Sequence, residues 1–306
     1  MASTMNRLVL NRADIKLVVQ LTLSALSRCD LKACVIGSVA AQIHGIEYRD
    51  PKVCILPQQK MRPVFDSYLL KDVDLLILNA GLDQDVEEIK QTLIEMDPSH
   101  FSLTPSRVAG ATHRILWCTL SGDYPGDPSL VPSGPGEHVL SRRGGTSHAN
   151  ATTSRTCKVD ILTPNELYMT HHMPELLQLY RDSENTFMAY SDPQPSMPSE
   201  SHVQYVSYVS LSMLLMLKLR AWLDHSLPSA NEIKHGKIPQ DEDDIQEILR
   251  VGMQDRNMSC SVQHMDDGDT WNLGGFASWR DAERSVRKFV RKWPETANGW
   301  RAVGFV

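Results

Sequence analysis

Lys71-Asp72-Val73-Asp74-Leu75-Leu76-Ile77-Leu78 constrains this chain more than any other stretch. Two carboxylates stand one residue apart, directly ahead of an apolar run. On an extended strand, side chains two positions apart project to the same face. Asp72 and Asp74 then point together, and Val73 turns the other way. Like charges held that close repel unless a cation neutralises them. Mg²⁺ suits such a pair, because it prefers carboxylate oxygens and keeps positions open for water and substrate phosphate. A polar strand end that happens to carry two aspartates is the plainer alternative, and the surrounding sequence decides between them.

Upstream, residues 12–28 carry Ile15, Val18, Val19, Leu21, Leu23 and Leu26 at roughly helical spacing. Ala33-Cys34-Val35-Ile36 fits a short buried strand. It ends at Gly37-Ser38, and residues 39–44 read as a helix closing at Gly45. Glycine permits a tight turn at that junction, and the N–H groups of a helix start attract an anion. The Ser38 hydroxyl serves either that anion or an ordinary helix cap. Downstream, residues 158–162 read as a strand in which Asp160 is isolated between Val159 and Ile161. A lone charge there is costly to bury unless it is paired or bound to metal.

The rest of the chain divides by composition. Residues 82–96 read as an amphipathic helix and 113–118 as a strand. Residues 121–156 are rich in Gly, Pro, Ser and Thr and read as a long loop. Three helices are expected over 203–225, 241–252 and 278–292. The second begins with four acids, as a positive helix N-terminus favours. The third sets basic residues among Trp279, Val286, Phe289 and Val290. The expected organisation is an α/β domain over 12–180, a polar linker over 181–202 and a helical region over 203–306.

A net charge of -6 on 306 residues argues against a protein that coats nucleic acid through bulk charge. The most apolar segment, 206–217, is interrupted by serines and stopped by Lys218 and Arg220, too short and polar to span a membrane. The six cysteines are scattered without a Cys-x-x-Cys pair and read as reduced thiols in the cytoplasm or nucleus. The early basic residues lack the order of a signal peptide. His171-His172 has no carboxylate or cysteine at metal-ligand spacing and reads as surface. Asp266-Asp267-Gly268-Asp269 reads as a polar turn.

Taken in order, Gly37-Ser38, a helix, Asp72-x-Asp74 and a later strand with Asp160 resemble the polymerase-beta-like nucleotidyltransferase superfamily. Val35-Ile36-Gly37-Ser38-Val39-Ala40 and Lys71-Asp72-Val73-Asp74-Leu75-Leu76 are most similar to its minimal, AbiEii-toxin-like branch. The similarity covers residues 15–165. A weaker echo continues at Lys218 and at Lys237, Asp241 and Asp244-Ile245. The resemblance implies a nucleotidyltransferase fold: a small mixed sheet with flanking helices and a helical C-terminal region. It implies that Asp72, Asp74 and Asp160 are catalytic and hold two Mg²⁺ ions. Gly37, Ser38, Lys71, Lys218 and Lys237 would bind the nucleotide, with Arg49 and Lys158 as further candidate bases for its triphosphate. The implied reaction moves a nucleoside monophosphate from an NTP to an acceptor hydroxyl on a small molecule, tRNA or protein. The alternative is a catalytically inactive member that binds nucleotide or protein. One departure stands out: Gly45 and Asp72 are farther apart than the family pattern has them. Removing residues 53–71 would join Lys52 to Asp72 and restore it, so that segment reads as a retained intron or as a surface loop.

Overall fold

The computed structural model describes residues 10, 12–46, 72–81, 84–106, 110–120, 155–167, 180–181, 206–254 and 275–305. The elements in chain order are α1 (Arg12–Arg28), β1 (Ala33–Ile36), α2 (Gly37–Ile43), β2 (Asp72–Ile77) and α3 (Val86–Met96). Next come β3 (Phe101–Pro105), β4 (Arg114–Leu120), β5 (Arg155–Leu162), β6 (Tyr180–Arg181) and β7 (Ser207–Tyr208). The chain finishes with α4 (Leu211–His225), α5 (Glu232–His235), α6 (Ile238–Gln254), α7 (Trp279–Lys292), a 3-10 turn (Pro294–Thr296) and α8 (Ala297–Ala302).

The strands form one mixed sheet in the order β3-β4-β5-β2-β1-β7-β6. The β2–β5 and β1–β7 pairs are parallel, and the other four are antiparallel. Its centre is apolar because β2 runs through it: Val73, Leu75, Leu76 and Ile77 are all buried. On β5, Cys157, Val159 and Ile161 are buried on the face where Arg155 pairs with Asp14 of α1 at 3.0 Å. Lys158 and Asp160 therefore project to the opposite face. Apolar burial, the main favourable term in folding, runs without a break from Leu10 through the sheet to Phe305. Trp222 meets Phe289 edge-to-face at 5.0 Å between ring centres, which joins α4 to α7.

Several boundaries differ from the sequence expectation, each for a physical reason. α3 begins at Val86 and not at 82, because the Asp85 carboxylate accepts the Glu87 N–H as a cap. β3 has little alternation, with only Phe101 buried, and is a strand through its pairing with β4. β5 starts three residues before Lys158, because Leu120 pairs with Arg155 and draws the end of the expected loop into the sheet. α4 starts at Leu211 and not at 203: Tyr208 pairs with Val35 of β1, and Ser210 then caps the helix by accepting the Met213 N–H. Arg181, expected to open the linker, lies in β6 against β7. α6 starts at Ile238, so its acids sit at and beyond the first turn, and Asp241 and Glu242 are buried. Lys71, the segment 53–71, most of the expected loop and linker, His171-His172 and residues 266–269 lie outside the described residues.

Candidate metal-binding acid site

The site follows from strand register. β2 and β5 run parallel with Asp74 opposite Asp160 and Asp72 opposite Lys158. Asp72 and Asp74 share a face, as period two requires, and the register brings Asp160 to that face from 86 residues away. One carboxylate oxygen from each of the three lies within 4.8 Å of the others. All three residues are half-buried.

On the other side of β2, Ile36 of β1 pairs with Asp74, so the bend into α2 falls directly beside that aspartate. Gly37 there has φ +62°, a conformation that costs an L side chain energy. Space gives the same answer: a Cβ on Gly37 would stand 2.0 Å from Asp74 Oδ2. Ser38 follows in the first turn of α2, half-buried, and the Ile36 cap has no side-chain hydrogen bond. Ser38 is therefore not the cap of this helix.

Charge is concentrated and only partly balanced. The Asp74 carboxyl is pushed up to about 7, first by burial and then by the charges of Asp72 and Asp160, against the pull of Lys218 and Lys158. Lys158 donates from Nζ to Asp160 Oδ2. Burial pulls the Lys158 ammonium down, but that hydrogen bond and the three carboxylates outweigh it and hold it above its ordinary value. Three hard carboxylate oxygens, one of them costly to ionise as the site stands, form a donor set that fits a divalent cation.

Lys218 stands on α4. Its ammonium lies 2.6 Å from Asp244 Oδ2, off the hydrogen-bond direction, and its charge is felt at Asp74. Farther along α4, Trp222 Nε1 donates to Glu242 Oε1 at 2.7 Å, and His225 Nδ1 meets Asp241 Oδ2 at 2.5 Å. Asp241 is held above the usual carboxylate range by burial, which the His225 hydrogen bond and the Lys218 and His225 charges oppose and Asp244 reinforces.

The sequence candidates thus divide. Asp72, Asp74 and Asp160 converge, with Gly37 in contact and Ser38 next to it. Lys218 joins them electrostatically. Lys237 is exposed ahead of α6, its N–H donating to the Lys234 carbonyl and its own carbonyl accepting the Asp241 N–H. Lys71 and Arg49 lie outside the described residues. Lys158, a candidate base for the triphosphate by sequence, is the counter-ion of Asp160, as its spacing of two on one strand allows. His225 carried no sequence signal, because its partner lies on another helix.

No protein-family model and no curated protein matches this chain. Among solved structures it is similar to the crystal structure of an antigenic nucleotidyltransferase-like protein from Paracoccidioides brasiliensis. The identity is 14%, the TM-score 0.51, and the match covers 96% of this chain and 95% of that one. A likeness at that identity speaks to architecture and not to chemistry. Seven strands of the described residues in a mixed sheet, helices against it and this match together make the architecture a nucleotidyltransferase-like fold.

Proposed function

We propose that this chain is a Mg²⁺-dependent nucleotidyltransferase of the polymerase-beta-like superfamily, in its minimal, AbiEii-toxin-like branch. It would move a nucleoside monophosphate from an NTP to an acceptor hydroxyl in the cytoplasm or nucleus. The observation that carries the reading is the meeting of Asp72, Asp74 and Asp160 on one sheet face beside a glycine that has no room for a Cβ.

Each residue then has a task. Asp72 and Asp74 hold the metal from one strand, and Asp160 completes the set and accepts the proton of the acceptor hydroxyl. Mg²⁺, expected as two ions, supplies neutralisation of charge on the attacking and leaving oxygens in such a site. Gly37 keeps the backbone close to the acids, and the Ser38 hydroxyl hydrogen-bonds the triphosphate. Lys218, its ammonium held by Asp244, balances phosphate charge. Lys71 and Lys237 complete the proposed phosphate set. Cys34, Cys118 and Cys157 take no part: they are free, and burial pushes each thiol up to about 12.

The test is the double variant Asp72→Asn/Asp74→Asn, assayed for pyrophosphate release from each NTP with Mg²⁺. Turnover should vanish while circular dichroism stays unchanged. A variant that consumes NTP at the wild-type rate would sink the assignment. One observation favours a second reading, a non-catalytic nucleotide-binding module: the Lys158 ammonium already neutralises Asp160. Calorimetric binding of Mg²⁺-ATP without turnover across several acceptors would decide for the module.

A further inference from the structure

The charge of this chain is unevenly spread. The sequence as a whole carries 37 acids against 31 bases. α7, WRDAERSVRKFVRK, carries six bases against two acids in fourteen residues. Arg280, Arg284, Arg287 and Arg291 follow one another at steps of four, three and four. They therefore form one stripe along a helix face, about 16 Å long at 1.5 Å per residue. All four are exposed, while Lys288 beside them sets its ammonium over the Trp222 ring, 5.5 Å from its centre.

The opposite face of the helix is spent on the core. Ala282, Val286 and Phe289 are buried, and Phe289 packs on Trp222 and Trp300. Lys292 is committed to Glu242. The arginines are bound only loosely by their own helix. Arg284 reaches Asp281 at 3.3 Å with 76% of its side chain exposed, and Arg287 reaches Glu283 at 2.8 Å with 63% exposed. Exposed pairs of this kind hold a side chain weakly, so phosphate can displace them. At the N-terminal end the stripe runs into a groove of about 390 Å³, lined by Arg284, Arg220, Asp281, Ser285, Phe276 and Leu223.

We propose that the Arg280–Arg284–Arg287–Arg291 stripe is a docking surface for the sugar-phosphate backbone of a nucleic-acid strand. This inference goes beyond the proposed transfer reaction and stands without it. Four guanidiniums in file match a line of phosphates, which they grip through two parallel N–H bonds each. An acidic membrane fits less well, because a helix that binds in the lipid interface inserts apolar residues. Here the apolar side is already packed against α4 and α8.

The test uses the full chain and fluorescence anisotropy with labelled single-stranded RNA of about 20 nucleotides and its DNA counterpart, across a salt series. Four phosphate contacts on a single strand predict a slope of log affinity on log salt of about -3. Arg284→Glu/Arg287→Glu should weaken binding at least tenfold with an unchanged circular dichroism spectrum. The milder Arg280→Gln/Arg291→Gln should lower the slope by about 1.4, and it decides the matter if the charge-reversed pair loses helix. Binding to neither strand, or binding that both variants leave intact, overturns the proposal. So does co-sedimentation with phosphatidylserine vesicles by a protein that ignores both oligonucleotides.

Discussion

A Cβ at position 37 would occupy the space of the Asp74 carboxylate, 2.0 Å from Oδ2, on a backbone already at φ +62°. Gly37→Ala should therefore destabilise the chain by about 1–3 kcal/mol through backbone strain and push Asp74 off its two companions. Chemical denaturation reads the first effect, and Mg²⁺ titration calorimetry reads the second as a loss of at least tenfold in affinity. Wild-type affinity in that variant would remove Asp74 from the ligand set. Asp74 also makes a pH prediction. Its carboxyl ionises at about 7 in the fold, against 3.8 ordinarily. Between those values the native chain holds a proton that the unfolded chain has released. Metal-free stability must then fall as pH rises through the window. Asp74→Asn should flatten that fall, and Mg²⁺ should restore stability most at the upper end, where the carboxylate is free to bind it. Thermal midpoints across pH, with and without Mg²⁺, check both statements.

At the scale of elements, α4 links the acid site to the C-terminal helices. Lys218, Trp222 and His225 stand at steps of four and three, so one face of the helix presents all three. They meet Asp244, Glu242 and Asp241 of α6. The acids of α6 would suit a helix N-terminus, and the expectation drawn from their order was electrostatic support of that kind. Packing gives Asp241 and Glu242 another use, as buried partners for α4. His225→Ala would leave Asp241 buried without its donor, a loss of about 1–3 kcal/mol. Urea unfolding at neutral pH measures it. No loss of stability would mean that the pair contributes nothing to how α4 and α6 dock. Element existence was largely legible in the chain, as α1 and β1 show. Boundaries were less so, because Arg155 and Tyr208 become strand residues only through partners distant in sequence.

At the scale of the whole molecule, β7 and α4 make the N-terminal sheet and the C-terminal helices parts of one core. Val209 donates to the Val35 carbonyl at 3.1 Å, and His44 Nε2 meets the Val209 carbonyl at 2.8 Å. Leu214, Leu215, Met216 and Leu219 of α4 are buried in the same cluster as Val39 and Ala40 of α2. A fragment ending at residue 202 would leave β1 an open edge and α2 uncovered. It should therefore fail to show a cooperative melt, whereas the full chain should melt in a single calorimetric transition. A fragment that melts cooperatively with native-like midpoint would show the two parts to be independent.

Period-two alternation is a property of the extended backbone, so the pairing of Asp72 with Asp74 on one face was already determined by the order of residues. The same holds for the glycine demanded at a strand-to-helix bend. What the order of residues could not determine was which strand lies beside β2 and in what register, because that choice is made by apolar side chains burying against each other across long stretches of chain. Only the tertiary structure brought Asp160 to Asp74, placed Lys158 and Lys218 where their charges act on the acids, and pushed the Asp74 carboxyl up to about 7 by burying it.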